Sequence, residues 1–349
     1  MKKKSSLPDI GALLKKIAPK VGAKVLLEPK WKVVGQVTYR SGQRRYFRLS
    51  SLDLNPMGAS AVAKDKDYAA FFMSRLGYPV VRGGAFLSNR WAKKMRSTKN
   101  IDAAYAYARK IGFPVIVKPN SGTRGVDVSL AYTRREFYKD MRRIFSGDNV
   151  ALVQEHLTGK DYRIVVLDEE VISAYERLPL SVTGDGRTTV LQLLKKKQAE
   201  FDRGKRDTSI DVRDARIIRK LKRQNLSLTS VLPHHQTIRL LDNANLSTGG
   251  ESIDVTDIVH PQIRSTAVKL TRDMGLRLCG VDIMLDGDIG KPHQSFRILE
   301  INSAPGLDHY ARSGAKQAKI VEELYLKVLR RMEGLGSSFK ISNGDAISE

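Results

Sequence analysis

Apolar positions along this chain recur with two periods. Spacings of three and four predict helices over about Ala61–Leu76, Asp102–Ile111, Arg134–Ile144 and about Pro261–Met274. The first is stopped by Gly77 with Pro79 just beyond, the second by Gly112. Short apolar or alternating runs predict strands at Lys24–Leu27, Lys32–Val37, Val115–Val117, Asp127–Ala131, Ala151–Glu155, Tyr162–Leu167, Val171–Glu176, Gly280–Leu285 and Ser295–Ile301. Between them, Ser88–Asn100 is basic and polar and reads as a connector, and the charge-dense stretch Lys195–Arg223 as a helix–loop–helix region. The last residues, Gly334–Glu349, are small and polar and read as a disordered tail. Strands alternate with helices, and no repeat has solenoid spacing, so a mixed α/β fold is expected.

Composition narrows the class. The 349 residues carry 61 Lys plus Arg against 37 Asp plus Glu, a net charge of +24, with 41% apolar and 28% charged residues. That balance is globular, and the length suggests roughly two or three domains. The single cysteine, Cys279, excludes a disulfide framework within the chain and reads as a core residue. No apolar run approaches the roughly 20 residues of a membrane span. The basic start, Met1-Lys-Lys-Lys4, is followed by Pro8, Asp9, Lys15 and Lys16, a poor secretory signal, so a soluble cytoplasmic protein is expected. The charge points to an anionic partner: nucleic acid, an acidic peptide, a nucleotide and an anionic surface all fit, as does simple solubility. Zinc-finger cysteines and an aromatic RNA-binding motif are absent and aromatics are only 7%, which argues against specific nucleic-acid binding.

Three segments carry chemistry. In Phe113-Pro-Val-Ile-Val-Lys-Pro-Asn-Ser-Gly-Thr-Arg-Gly125 an apolar strand ends in Lys118 and opens into a loop with Ser121, Gly122 and Gly125. Such glycines let backbone N–H groups surround phosphate oxygens, and the lysine adds a point charge; an ordinary surface turn is the alternative. The spacing is neither a Walker loop nor a dinucleotide fingerprint. In Gly280-Val-Asp-Ile-Met-Leu285 and Phe296-Arg-Ile-Leu-Glu-Ile-Asn302, Asp282 lies among apolar residues, and Glu300 and Asn302 share one strand face. Carboxylates there are costly unless paired or metal-bound; hard oxygen donors suit Mg²⁺, and salt bridges to Arg or Lys are the alternative. In Val153-Gln-Glu-His-Leu-Thr-Gly-Lys-Asp161, Glu155 and Asp161 can accept hydrogen bonds from an amino group and from ribose hydroxyls.

The order of these segments resembles the ATP-grasp superfamily. Further motifs are similar to the ATP-grasp module of cyanophycin synthetase and, more distantly, to bifunctional glutathione synthetase: Asp65-Lys66, Glu176-Arg177, Val182-Thr-Gly-Asp-Gly186, Ala244-Asn-Leu-Ser-Thr-Gly-Gly250, Ile253-Asp-Val-Thr-Asp257, Val259-His-Pro261 and Glu300-Ile-Asn-Ser-Ala-Pro-Gly306. The likeness covers about Asp65 to Gly306. It implies an ATP-grasp fold: a small N-terminal domain over 1–95, a nucleotide-binding subdomain with a glycine-loop lid over 96–176 and a metal-bearing subdomain over 177–333. The resemblance also implies that Lys66 and Lys118 touch phosphates, Ser121–Gly125 form the lid, Glu155 meets adenine and Asp161 ribose. Asp282, Glu300 and Asn302 are then ligands of Mg²⁺ (two ions expected, Mn²⁺ an alternative). Arg177 and Asn245 face the reacting carboxylate and phosphoryl group.

The reaction it implies joins a carboxylate to an amine through an acyl phosphate, releasing ADP and phosphate. Small-molecule carboxylate and amine substrates are then the partners, an acidic one being favoured by the charge; no membrane is implied, and a homo-oligomer is compatible. The peptidoglycan-ligase-type module of cyanophycin synthetase does not follow in this chain, so a two-amino-acid cycle on it is not expected. An ATP-grasp kinase and a basic nucleic-acid-binding protein are the competing readings. His234, His235 and His309 read as polar residues satisfied within the fold.

Overall fold

The structure is a computed structural model, and it describes residues 10–335 apart from 123, 124, 126, 205, 207, 293 and 294. Its first sheet is an antiparallel meander of β1 (Ala23–Leu27), β2 (Val34–Tyr39), β3 (Arg44–Arg48) and β4 (Ser51–Leu52). Alternation buries Val37, Tyr39 and Phe47 on one face. There they pack with Leu14 and Ile17 of the helix Ile10–Ile17 and with Leu324, Val328 and Leu329 of the helix Ala315–Glu333. The two ends of the described chain therefore share one core, and the Tyr39 hydroxyl donates to the Leu329 carbonyl at 2.6 Å.

The second sheet holds β5 (Gly83–Leu87), β6 (Val115–Pro119), β7 (Ser129–Ala131) and β8 (Val150–Glu155), in the order β5-β8-β6-β7. Helices Ile101–Ile111 and Arg134–Phe145 cover one face, where Ala104, Ala108, Phe137 and Met141 meet Val115, Val117, Ala151 and Val153. The period of two then puts Ile116 and Lys118 on the opposite face.

The third sheet begins with β9 (Lys160–Leu167) and β10 (Glu170–Leu178). The chain then leaves it for a unit built on the hairpin β11 (Ser181–Thr183) and β12 (Thr237–Arg239) and the helices Val190–Arg203 and Ala215–Arg223. That unit has its own core, with Leu180, Val190, Leu194, Ile217, Leu221 and Leu240. The chain returns through β13 (Glu251–Asp254), β14 (Leu278–Asp286) and β15 (Ser295–Asn302), giving the order β13-β10-β9-β14-β15. Tyr162, Ile164, Cys279, Val281 and Ile283 pack on one face beneath the helix Pro261–Asp273.

Several local expectations change. The helix expected over Ala61–Leu76 is two helices, Met57–Lys64 and Lys66–Arg75. Asp65 between them has extended backbone (φ −95°, ψ 109°), and its carboxylate accepts from the Tyr68 N–H at 3.0 Å, so a capping aspartate interrupts the apolar period. The connector contains the helix Asn89–Lys94, capped by the Ser88 hydroxyl, which accepts from the Trp91 N–H. Asp127, with φ +57°, lies outside β7. Leu335 packs on the shared core and its carbonyl accepts from Gln43 at 3.0 Å; residues 336–349, the remainder of the expected tail, lie outside the described residues.

Candidate active site

One face of the third sheet changes character along its length. Val165, Leu167, Tyr175 and Leu278 belong to the shared core, while farther along the same face stand Asp161, Arg163, Arg177 and Asp282. In register, Asp282 sits opposite Arg163 on one side and Glu300 on the other. Arg163 Nε donates to Asp282 Oδ1 at 2.6 Å and its Nη2 to Oδ2 at 2.7 Å. Arg177 Nη1 lies 3.0 Å from the same Oδ2, and its Nη2 donates to Asp161 Oδ1 at 2.6 Å. Arg163 Nη2 is also 4.0 Å from Glu300 Oε1.

These charges are mutually supported. The Asp282 side chain is 1% exposed. Burial pushes its carboxyl up, but the Arg163 and Arg177 guanidiniums overcome that and hold it below the usual carboxylate range. Burial also works against the Arg177 charge, and Asp161 and Asp282 outweigh it. Asn302 Nδ2 makes only a long contact, 3.4 Å, with Glu300 Oε1. Among the described residues no cluster of three or more His, Cys, Asp or Glu is placed to hold a metal; the expected set has two carboxylates and a carboxamide.

Lys118 enters from the second sheet and is 9% exposed. Burial lowers its pKa; Glu300 most strongly, then Asp282 and Asp161, act to keep it charged, and Lys66 opposes them. The lysine on one sheet thus shares a field with the acids on the other. Lys66, at the start of its helix, donates to the carbonyls of Asn120 (3.3 Å) and Gly122 (3.0 Å), at the root of the glycine loop. Asn120 is held there by donating to Asp65 Oδ2 at 2.8 Å, so the Asp65-Lys66 pair and the loop form one unit. Ser121 donates to Asp148 at 2.5 Å.

Gly125 has φ +65°, and a Cβ there would lie 1.6 Å from Asn245 Nδ2 and 2.6 Å from Asn243 Nδ2. The loop and the Asn243–Asn245 segment are thus in direct contact. Arg216 secures the loop by donating to the Gly125 and Val128 carbonyls at 3.0 and 3.2 Å. Residues 123 and 124 of the expected lid lie outside the described residues. Glu155 ends β8 with Oε1 accepting from the Arg82 N–H at 2.9 Å and Oε2 at 3.4 Å from Arg82 Nε.

Of the positions expected near a nucleotide or metal, Lys66, Lys118, Gly122, Asp161, Asp282 and Glu300 are linked by hydrogen bonds, ion pairs or a shared field, and Gly125 abuts Asn245. Ser121 and Glu155 are engaged elsewhere, by Asp148 and by Arg82. Sequence reading missed Arg163, although it follows Asp161 by two on a strand and so shares its face. It also missed Arg82, whose pairing with Glu155 depends on β5 lying beside β8. Cys279 is fully buried in the core and its thiol is pushed up to about 12 by burial, in keeping with a packing role.

Comparison with known proteins shows what this chain is similar to. Residues 92–219 match the RimK-like ATP-grasp domain. A glutathione biosynthesis bifunctional protein of Clostridium perfringens is 33% identical over 200 residues, covering 55% of this chain and 26% of that protein. A cyanophycin synthetase of Geminocystis herdmanii is 30% identical over 280 residues, covering 78% of this chain and 30% of that protein. The chain thus spans about a quarter to a third of the length of these curated relatives. A bifunctional glutathione synthetase from Pasteurella multocida superposes with a TM-score of 0.57 at 23% identity, covering 90% of this chain and 44% of that one. The match to the RimK-like ATP-grasp model thus lies within residues 92–219, and over 90% of its length the chain shares the fold of the Pasteurella multocida structure.

Proposed function

We propose that this chain is an ATP-dependent carboxylate–amine ligase that makes an amide bond through an acyl phosphate. The observation that carries the reading is the buried Lys118, set on one sheet in the field of Glu300 and Asp282 on the other, with Lys66 at the root of the glycine loop. Two lysines beside a glycine loop suit a triphosphate. The donor chemistry fits a divalent cation: Glu300 and Asn302 share a strand face, and Asp282 keeps acceptor capacity beyond its two hydrogen bonds from Arg163 and its ion pair with Arg177. Glu300, Asn302 and Asp282 would hold Mg²⁺, which supplies charge neutralisation between the phosphates.

The remaining roles are those the family resemblance implies. Lys66 and Lys118 bind phosphate oxygens, and Ser121, Gly122 and Gly125 belong to the lid that excludes water from the acyl phosphate. Glu155 and Asp161 serve adenine and ribose from the hinge between β8 and β9. Arg177 and Asn245 orient the reacting carboxylate and phosphoryl group, whose like charges must be neutralised before they meet. The carboxylate oxygen takes the γ-phosphoryl group and ADP leaves; the amine attacks the acyl carbon, loses a proton and expels phosphate. Exposed Lys195, Lys196, Arg203 and Arg213 favour an acidic substrate, because their neighbours Lys197, Arg216, Arg219 and Lys220 are engaged by Glu251, Asp214, Asp140 and Asp242.

The test is ADP release by the purified protein with Mg²⁺ and a panel of amino acids and dipeptides, followed by product mass. Release that requires both a carboxylate and an amine, with a product lighter than the sum of the two by one water, is the expected result. A phosphorylated hydroxyl formed without an amine would replace the ligase reading with a kinase.

A further inference from the structure

Arg163 has no role in the scheme above, yet it is bound to the most buried acid of the site, Asp282. It is 14% exposed, holds Asp282 through two bonds of 2.6 and 2.7 Å and reaches toward Glu300 at 4.0 Å. Its two hydrogen bonds take about half of the roughly four acceptor positions of the Asp282 carboxylate, and Arg177 adds an ion pair at 3.0 Å. The charges gathered there balance, Asp161, Asp282 and Glu300 against Arg163, Arg177 and Lys118, with Lys66 a further cation in the same field. A divalent cation arriving alone meets a pocket whose negative charge is already met by guanidinium. One arriving with a polyphosphate brings its own compensating anion.

We infer that Arg163 is a positioning residue that makes metal loading conditional on nucleotide: it holds Asp282 in place and neutralises it, so that the divalent cation binds with the phosphates and not before them. The inference rests on the nucleotide–metal reading of the site. Replacing Arg163 by neutral glutamine removes one positive charge from the pocket, which should then bind free cations more tightly; lysine loses the two-point hold on Asp282 but keeps the charge, and should retain the condition.

The experiment titrates Mn²⁺ into the full chain by electron paramagnetic resonance, with and without ADP, for wild type, Arg163→Gln and Arg163→Lys, with folding checked by circular dichroism. Wild type should bind Mn²⁺ at least tenfold more weakly without ADP than with it. Arg163→Gln should gain about tenfold in affinity for Mn²⁺ alone, and Arg163→Lys should stay near wild type. Equal wild-type affinity with and without ADP overturns the inference even if Arg163→Gln fails to fold. So does unchanged Mn²⁺ affinity in a folded Arg163→Gln, or a Lys variant that behaves like Gln. Failure of wild type to bind ADP with Mn²⁺ at all would instead remove the nucleotide–metal reading.

Discussion

Lys118 shows how one residue joins two sheets. Its backbone belongs to β6, while its charge is supported from β14, β15 and β9. We expect Lys118→Met to fold and to lose at least about 100-fold in turnover, because it removes charge that would stabilise the transferring phosphoryl group; steady-state ADP release measures it, and near-wild-type turnover would refute the assignment. Gly125 carries a different constraint. Its left-handed backbone costs an alanine about 1 kcal/mol, and the new methyl must displace the Asn245 amide. Gly125→Ala should therefore cost little in thermal stability but at least about tenfold in kcat, if Asn245 acts on the reacting groups. A large loss of stability with unchanged kcat per folded molecule would reverse that assignment.

Among elements, the helix Ala215–Arg223 repays attention. Arg216, Arg219 and Arg223 recur at spacings of three and four, so they share a face. Arg216 holds the glycine loop, Arg219 forms two bonds with Asp140, and Arg223 pairs with Glu136. What reads on the sequence as a solvated basic stretch is thus largely an electrostatic seam onto the helix Arg134–Phe145. Asp140 is almost fully buried, so Arg219→Met should destabilise the protein by about 2–3 kcal/mol, an order-of-magnitude figure lowered by the nearby Arg143. Chemical denaturation of Arg219→Met, Asp140→Asn and the double variant would show the coupling as a double-variant cost well below the sum.

A second seam joins the ends of the chain: Glu322 accepts from Lys16 at 2.8 Å and Lys20 at 2.6 Å, which depress its pKa from 4.5 to about 2. Because the folded value is the lower one, this stabilisation is present above pH 4.5 and is lost as pH falls toward 2. Acid unfolding of Glu322→Gln should lack that segment of pH dependence; an unchanged acid transition would mean the contact contributes nothing.

At the scale of the molecule, the net charge of +24 resolves into unlike parts. Arg163, Arg177 and Lys118 neutralise buried acids, the arginines near 219 join elements, and exposed cations such as Lys195 and Lys196 face solvent. Those exposed cations will attract any polyanion, so generic DNA should bind only weakly, with a Kd above about 1 μM at physiological salt, and lose affinity steeply with added salt. Tight, salt-resistant binding in a fluorescence polarisation assay would revive the nucleic-acid reading. The helix Ala315–Glu333 was not singled out from the sequence, although its apolar stripe closes the shared core. Its alternating charges resemble a solvated helix until the meander of the first four strands is laid against it.

The sequence by itself determined the alternation of strands and helices, the strand positions of Lys118, Asp282, Glu300 and Asn302, and the order of motifs that resembles the ATP-grasp superfamily. These follow from local rules: apolar period, glycine in loops, and the cost of acids in apolar strands. Only the tertiary structure decided which charges meet. That Asp282 is bound by Arg163 and Arg177, that Glu155 faces Arg82 and that Gly125 abuts Asn245 all depend on strand order and register between distant segments. Ion pairs act over a few ångströms of space and are indifferent to separation along the chain, so a charge-rich sequence leaves its pairings open until the sheets are assembled.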